Sequence, residues 1–266
     1  PLYLVQGPPG TEKSHPLASA LLARVALKVS QGKPCRIAVS CKTHNAVNIV
    51  LEAITAKLRR LLALPTRMTE SLRDLRVYKI VNDLSDDIPD YVKPLWAYGF
   101  GKDKLEYLFN RDLIIIGGTP GGLYNLGKYR AAGGRKVDWD LKTFDLVVID
   151  EASQMSLPEG ILACSSLKPD GSAIFVGDHR QMPPIIAHEW ETEEKRTATA
   201  NQPYLSLFES LIEREFPCVA LDESFRLHRT IAEFLRDNIY DRDGIPFFSK
   251  RREVLVQPPI TNPYVD

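Results

Sequence analysis

An α/β fold with a doubly wound parallel sheet is predicted by three observations. Short apolar runs alternate with amphipathic helical stretches through most of the chain, which is how successive β-α-β units read. The first run, Leu2–Gln6, leads into a loop of glycine and proline that opens into a helix. Two later runs end in Asp150-Glu151 and Gly177-Asp178, at the strand tips where an open parallel sheet gathers its ligands.

The loop comes first. LVQGPPGTEKS, residues 4–14, follows the pattern G-x-x-x-x-G-K-[ST]. In that pattern glycines let backbone N–H groups close around phosphates, a lysine reaches the β- and γ-phosphates, and a hydroxyl holds Mg²⁺. Gly7, Gly10, Lys13 and Ser14 fit, Pro8 and Thr11 complete the turn, and a P-loop NTPase is the prediction. Glu12 stands where the pattern has glycine. A carboxylate about 4 Å from a phosphate charge costs about 4 kcal/mol at an effective dielectric near 20. If the position is left-handed, a side chain there adds about 1 to 2 kcal/mol. At about tenfold for each 1.4 kcal/mol, nucleotide binding is expected to weaken by about a thousandfold or more, with Mg²⁺, Lys13 or an arginine available to soften the loss. An ordinary Gly/Pro turn after a buried strand is the alternative for the loop alone.

Beyond the loop, residues 13–30 read as a helix with Leu17, Leu21, Leu22, Val25 and Val29 on one side and Pro16 in its first turn. Cys35–Ser40 reads as a strand and 46–62 as a strongly amphipathic helix. Residues 63–112 break the rhythm with mixed charge and scattered aromatics, Tyr91, Trp96, Tyr98 and Phe100, and are expected to form an insertion on the core. Packing a small subdomain is the expected use of those rings, with stacking on bases as the alternative. Strands follow at 113–116, 146–149 and 173–176, with an exposed hairpin or loop at 127–140 and a helix entered at Pro158. Residues 187–202 read as polar and mobile, 204–214 as a helix, 218–221 as a strand and 230–240 as a last helix.

At 266 residues the chain has room for one large domain and the start of another. Thirty-four basic residues balance thirty-four acidic ones, so any nucleic-acid surface must be local. Cys35, Cys41, Cys164 and Cys218 form no close pair or Cys/His cluster; they read as small buried residues in a reducing, cytoplasmic compartment. No signal peptide is seen and no apolar run approaches the roughly 18 residues a membrane span needs, so no membrane partner is expected. Both ends read as cut from something longer.

Phosphoryl transfer to water needs a phosphate cradle, a carboxylate that holds the metal and a group that positions the water. Asp150 is suited to hold Mg²⁺ alongside Ser14, and Glu151 to orient or deprotonate the water; a helix N-terminus that attracts carboxylates is the plainer source of such a pair. LVQGPPGTEKS, VVIDEASQ at 147–154, VGDHRQMPP at 176–184 and LDESFRLH at 221–228 resemble, in order, motifs I, II, III and IV of superfamily 1 helicases. The likeness is to the branch that includes the nonsense-mediated-decay helicase, the Dna-two replication helicase and many bacterial relatives. CKTHNAVNIVL at 41–51 resembles its motif Ia and IIIGGTPGGL at 114–123 its motif Ic.

The resemblance implies a RecA-like fold, ATP and Mg²⁺ as cofactors, and single-stranded DNA or RNA as partner. It makes residues 1–215 a first ATPase lobe with 63–112 inserted, and 216–266 the truncated start of a second, whose remainder would be a further partner. Gly7, Pro8, Gly10, Thr11, Glu12, Lys13 and Ser14 would surround the phosphates, with Ser14 and Asp150 on Mg²⁺ and Glu151 as catalytic base. Gln181 would sense the γ-phosphate and Arg226 would reach it from the second lobe, while Thr43, His44 and Thr119 would touch the backbone of a strand. Plainer roles stand beside these: Thr43 as a helix cap, Thr119 in a Gly/Pro turn, Arg226 paired with Asp222 or Glu223, and His44 and His179 as surface histidines.

Motifs V and VI and the upstream adenine-recognising glutamine do not occur in the chain, so it is not expected to unwind a duplex by itself. The expectation is an ATP-dependent helicase or translocase impaired at Glu12. Its rival is a non-catalytic nucleic-acid-binding or scaffolding module with a spoiled phosphate site. A P-loop kinase or GTPase is a weaker rival, disfavoured by GDHRQ and ESFR.

Overall fold

The computed structural model describes residues 1–64, 66–83, 86–96, 110–131, 134–137, 142–185 and 206–251. Two compact units are distinguished, one of Pro1–Gln6 with Lys13–Val219, the other of Gly7–Glu12 with the chain from Ala220 onward.

The first unit is built on an eight-stranded sheet. Its strands are β1 (Leu2–Gln6), β2 (Cys35–Ser40), β3 (Arg76–Val81), β4 (Lys93–Trp96), β5 (Leu113–Gly118), β8 (Phe144–Ile149), β9 (Leu167–Gly177) and β10 (Cys218–Ala220). They lie in the order β10-β1-β9-β8-β2-β5-β3-β4, and β1 to β4 are joined through parallel pairs. Strands β6 (Lys128–Ala131) and β7 (Gly134–Val137) form the expected hairpin.

Helices α1 (Ser14–Ser30), α2 (His44–Leu62) and α3 (Arg67–Ser71) belong to one face, and α4 (Pro120–Leu126), α5 (Leu157–Ala163) and α6 (Leu207–Ile212) to the other. Alternation within the strands explains both layers. Ile37, Ile115, Leu146 and Val148 join the core under α1 and α2, while Ala38, Ile114, Ile116, Val147 and Ile149 join the core under α4 to α6. Strands buried on both faces have no polar alternation to show, and each fully buried Val, Leu or Ile contributes about 1.5 to 3 kcal/mol. The doubly wound α/β architecture expected from the sequence is therefore present.

Residues 63–112 supply α3, β3 and β4, and those two strands extend the sheet beyond β5. Lys79 is fully buried on β3, where burial lowers its pKa. Its ammonium donates to the Asp87 carbonyl, and the Asn48 amide of α2 donates to the same oxygen at 3.4 Å. Tyr91 stacks under the Arg59 guanidinium, 4.1 Å from its ring centroid, so this ring packs against α2. Tyr98, Phe100, the 187–202 stretch and the start of the helix expected at 204 lie outside the described residues.

The second unit holds β11 (Glu223–Ser224) paired in parallel with β12 (Phe248–Ser249), and α7 (Arg229–Leu235). The helix expected to run to residue 240 instead passes into a π-helical turn, Arg236–Tyr240. Tyr240 then joins Ala232, Ile245 and Phe247 in a small core, its ring 5.2 Å from that of Phe247. Cys35 and Cys41 are buried as expected, whereas Cys164 is half-buried and Cys218 is exposed on the edge strand β10. No helix among the described residues is long and apolar enough to cross a membrane.

Candidate functional site

Parallel neighbours present their C-terminal tips along one sheet edge. The registers Gln6↔Gly177, Ile149↔Phe175, Ser40↔Ile149 and Ser40↔Gly118 bring the ends of β1, β9, β8, β2 and β5 side by side. In that order the edge carries Gln6, then Asp178 and Gln181, then Asp150 and Glu151, then Thr43 and His44, then Thr119.

Asp150 directly follows β8 and is 5% exposed. Its N–H donates to the Ser40 carbonyl at 2.9 Å, and its Oδ1 accepts the Glu151 N–H at 2.9 Å. Burial, and next the Glu151 charge, push the Asp150 carboxyl up to about 6; the Glu151 N–H and the charge of Lys13 oppose that rise. Lys13, at the N-cap of α1, is thus close enough to act on Asp150, and Ser14 is the first residue of that helix. Glu151 adopts a left-handed backbone, φ 54° and ψ 38°, and receives the Gln154 amide at 3.4 Å. A side chain held in that region costs about 1 to 2 kcal/mol and is concentrated at functional sites.

Asp178 is 1% exposed, and Gln6, Arg180 and Gln181 are among its donors. Gln6 Nε2 lies 2.6 Å from Oδ1, the Arg180 N–H 3.1 Å from Oδ1, and Gln181 Nε2 2.9 Å from Oδ2. His179 is half-buried rather than a surface residue, with Nδ1 3.1 Å from Gln6 Oε1. The sequence reading missed Gln6; its only signal was a polar residue closing an otherwise apolar strand.

Thr43 and Thr119 both cap helices. Thr43 Oγ1 accepts the Ala46 N–H at 3.2 Å and Thr119 Oγ1 accepts the Gly122 N–H at 3.3 Å. His44 Nε2 is 3.5 Å from Asn82 Nδ2, and its buried Nδ1 has no hydrogen-bond partner among the described residues.

In the second unit, Gly7, Pro8, Gly10 and Thr11 are buried and Glu12 is exposed. Thr11 Oγ1 donates to the Pro8 carbonyl at 2.9 Å. The segment after β10 braces the loop: Ser224 Oγ donates to Pro9 O at 3.1 Å and the Phe225 N–H to Gly10 O at 2.8 Å. Gly10 has φ 79°, and a Cβ there would lie 2.5 Å from Ser224 Oγ and 2.8 Å from Arg226 Cβ. Gly10→Ala is therefore expected to destabilise the protein by about 1 to 3 kcal/mol, read as a lower melting temperature; an unchanged melt would show that the brace is not formed. Glu223 pairs with Lys250 at 3.1 Å, and Arg226 makes no ion pair among the described residues. Glu12 itself has φ 50°, so the position that the phosphate-loop pattern gives to glycine is left-handed in this chain.

Residues 1–187 match the AAA domain family. DNA polymerase alpha-associated DNA helicase A of Schizosaccharomyces pombe is 25% identical over 96% of this chain, which covers 39% of that relative. The Regulator of nonsense transcripts 1 homolog of Neurospora crassa is 27% identical over 91% of this chain and 21% of its own length. The DNA replication ATP-dependent helicase/nuclease DNA2 of Saccharomyces cerevisiae is 28% identical over 70% of this chain and 10% of its own length. The chain spans less than half of each of these relatives. With its parallel sheet and its motifs at the strand tips, the chain belongs to the AAA domain family and to the nonsense-mediated-decay and DNA2-like branch of superfamily 1 helicases.

Proposed function

We propose that residues 1–215 are the first RecA-like lobe, and 216–266 the start of the second, of a motor that uses ATP and Mg²⁺ to move along single-stranded nucleic acid. One observation carries this: a single sheet edge holds Gln181, Asp150 and Glu151 after β9 and β8, and Thr43, His44 and Thr119 after β2 and β5. Phosphate chemistry and strand contact then sit on adjacent strands of one rigid element, as coupling them requires.

The Ser14 hydroxyl and Asp150 carboxylate are hard oxygen donors suited to Mg²⁺, and a desolvated carboxyl raised to about 6 gains strongly from a nearby cation. When bound, Mg²⁺ neutralises charge on the β- and γ-phosphates. Backbone N–H groups of Gly7, Gly10, Glu12 and Lys13 would cradle phosphate oxygens, with Pro8, which has no N–H, shaping the turn, and Lys13 would add a point charge. Glu151 orients the attacking water and takes its proton, Gln181 senses the γ-phosphate, and Arg226 adds positive charge there. Thr43 and Thr119 accept cap bonds yet keep their own O–H to donate to a strand phosphate.

Contacts of that kind read backbone rather than bases. Binding to single strands is expected to be tolerant of base sequence and to weaken with salt, log K falling with log salt at a slope of about −0.7 per phosphate contact. Filter binding across a salt series checks this, and a salt-independent, sequence-selective complex would count against it. Duplex unwinding is assigned to a longer protein that includes the rest of the second lobe. The exposed Glu12 carboxylate at φ 50° favours a second reading, a helicase-like module that binds nucleic acid without turnover. Strand-stimulated ATP hydrolysis by the full-length protein and its Glu12→Gly variant separates the two.

A further inference from the structure

The phosphate-loop pattern begins at Gly7 and is silent about the residue before it, yet Gln6 is 2% exposed and bonded to a buried carboxylate. A carboxylate only accepts hydrogen bonds, so Gln6 must turn its amide nitrogen to Asp178 Oδ1, at 2.6 Å. Its Oε1 then faces His179 Nδ1 at 3.1 Å and can only accept, which assigns the His179 proton to Nδ1. The same logic turns the Gln181 amide nitrogen to Asp178 Oδ2, at 2.9 Å, and leaves Gln181 Oε1 and one N–H for a ligand. Two glutamine amides are thus oriented by the two oxygens of one carboxylate. The register Gln6↔Gly177 supplies the closeness, joining the root of the phosphate loop to the root of the 178–181 turn.

We propose that Gln6 is a positioning residue, which fixes the Asp178 carboxylate plane and through it the Gln181 amide that meets the γ-phosphate. This rests on the nucleotide reading of the site. Without Gln6, Asp178 Oδ1 keeps the Arg180 N–H but loses the Gln6 amide donor, the constraint on the carboxylate plane is weakened, and with it the orientation of Gln181.

The test is a double-mutant cycle of Gln6→Met, similar in size but without a donor, and Gln181→Ala. It is made on the Glu12→Gly background so that ATP and ADP affinities, each with Mg²⁺, are measurable. Gln6→Met is expected to leave ADP binding unchanged, to reduce the preference for ATP over ADP about tenfold, the net worth of one hydrogen bond to a charged group, and to have no effect once Gln181 is alanine. Isosteric Asp178→Asn, which presents a donor to one of the two glutamines, is expected to give the same loss. An equal loss on both backgrounds, or none on either, overturns the proposal. NMR decides it without nucleotide: His179 should carry its proton on Nδ1, and the Gln181 side-chain amide signals should shift in Gln6→Met. Unshifted signals overturn the positioning role. Shifted signals in a protein that binds neither nucleotide support positioning and sink the nucleotide reading instead.

Discussion

Replacing Glu12 with glycine is expected to tighten ATP–Mg²⁺ binding by about a thousandfold, because a carboxylate about 4 Å from a phosphate charge costs about 4 kcal/mol at an effective dielectric near 20. A second, separable effect comes from the backbone. At φ 50° Glu12 sits in the left-handed region, at a cost of about 1 to 2 kcal/mol, against which glycine loses about 0.5 to 1 kcal/mol more chain entropy on folding. The two nearly cancel in stability, so the glycine variant should melt within a few degrees of the parent. Glu12→Gln removes the charge and keeps the left-handed side chain. It should recover most of the binding gain with no rise in melting temperature, which assigns that gain to charge. Titration with a fluorescent ATP analogue reads affinity, and strand-stimulated hydrolysis reads turnover. Turnover only in the charge-free variants identifies a degenerate motor, and none in any of them favours the non-catalytic module. Equal, robust turnover in parent and variants sinks the impairment argument.

The sheet was most legible where burial is symmetrical. Residues 113–116 and 146–149 read as strands, within the observed Leu113–Gly118 and Phe144–Ile149, because both of their faces are covered and apolar residues run together. Strands β3 and β4 escaped notice for the opposite reason: fully buried Lys79 interrupts the first, and Lys93-Pro94 leaves Leu95 as the single buried residue of the second. At the candidate site, Lys13, Ser14, Asp150 and Glu151 are the residues that motif spacing within a loop or strand tip nominates. Gln6 and Asp178 are 172 residues apart in sequence, and Phe225 reaches Gly10 over a still longer separation. No local pattern encodes such pairs; they follow from the parallel register of β1 with β9 and from the packing of the second unit. The left-handed backbone of Glu12 lies between these cases, since the pattern's glycine hints at it and the structure supplies the angle.

Asp150→Asn is expected to stabilise the nucleotide-free protein while costing it hydrolysis, and the two effects share one cause. Burial and the neighbouring Glu151 charge push the Asp150 carboxyl from its ordinary 3.8 to about 6. The unfolded chain therefore gives up this proton at lower pH than the folded one. The group's full contribution to stability is present below about pH 4 and is lost as pH rises to about 6 and beyond, a loss of about 3 kcal/mol. Asparagine keeps an oxygen for the Glu151 N–H at 2.9 Å but has no charge to desolvate. At pH 8 the variant should melt several degrees higher than the parent, with the gap closing as pH falls toward 4; a gap that does not change with pH would contradict the buried, charge-repelled carboxyl. Mg²⁺–ATP inverts the comparison. On the Glu12→Gly background, a cation held beside Asp150 as proposed would cancel that repulsion, so nucleotide should raise the melting temperature of the protein with Asp150 far more than that of the asparagine variant. On the Glu12→Gly background, losing this ligand should lower strand-stimulated hydrolysis by about a hundredfold or more, because a metal's charge is worth several kcal/mol in the transition state. If Mg²⁺–ATP binds beside this carboxyl as proposed, nucleotide binding and local stability form one linked equilibrium.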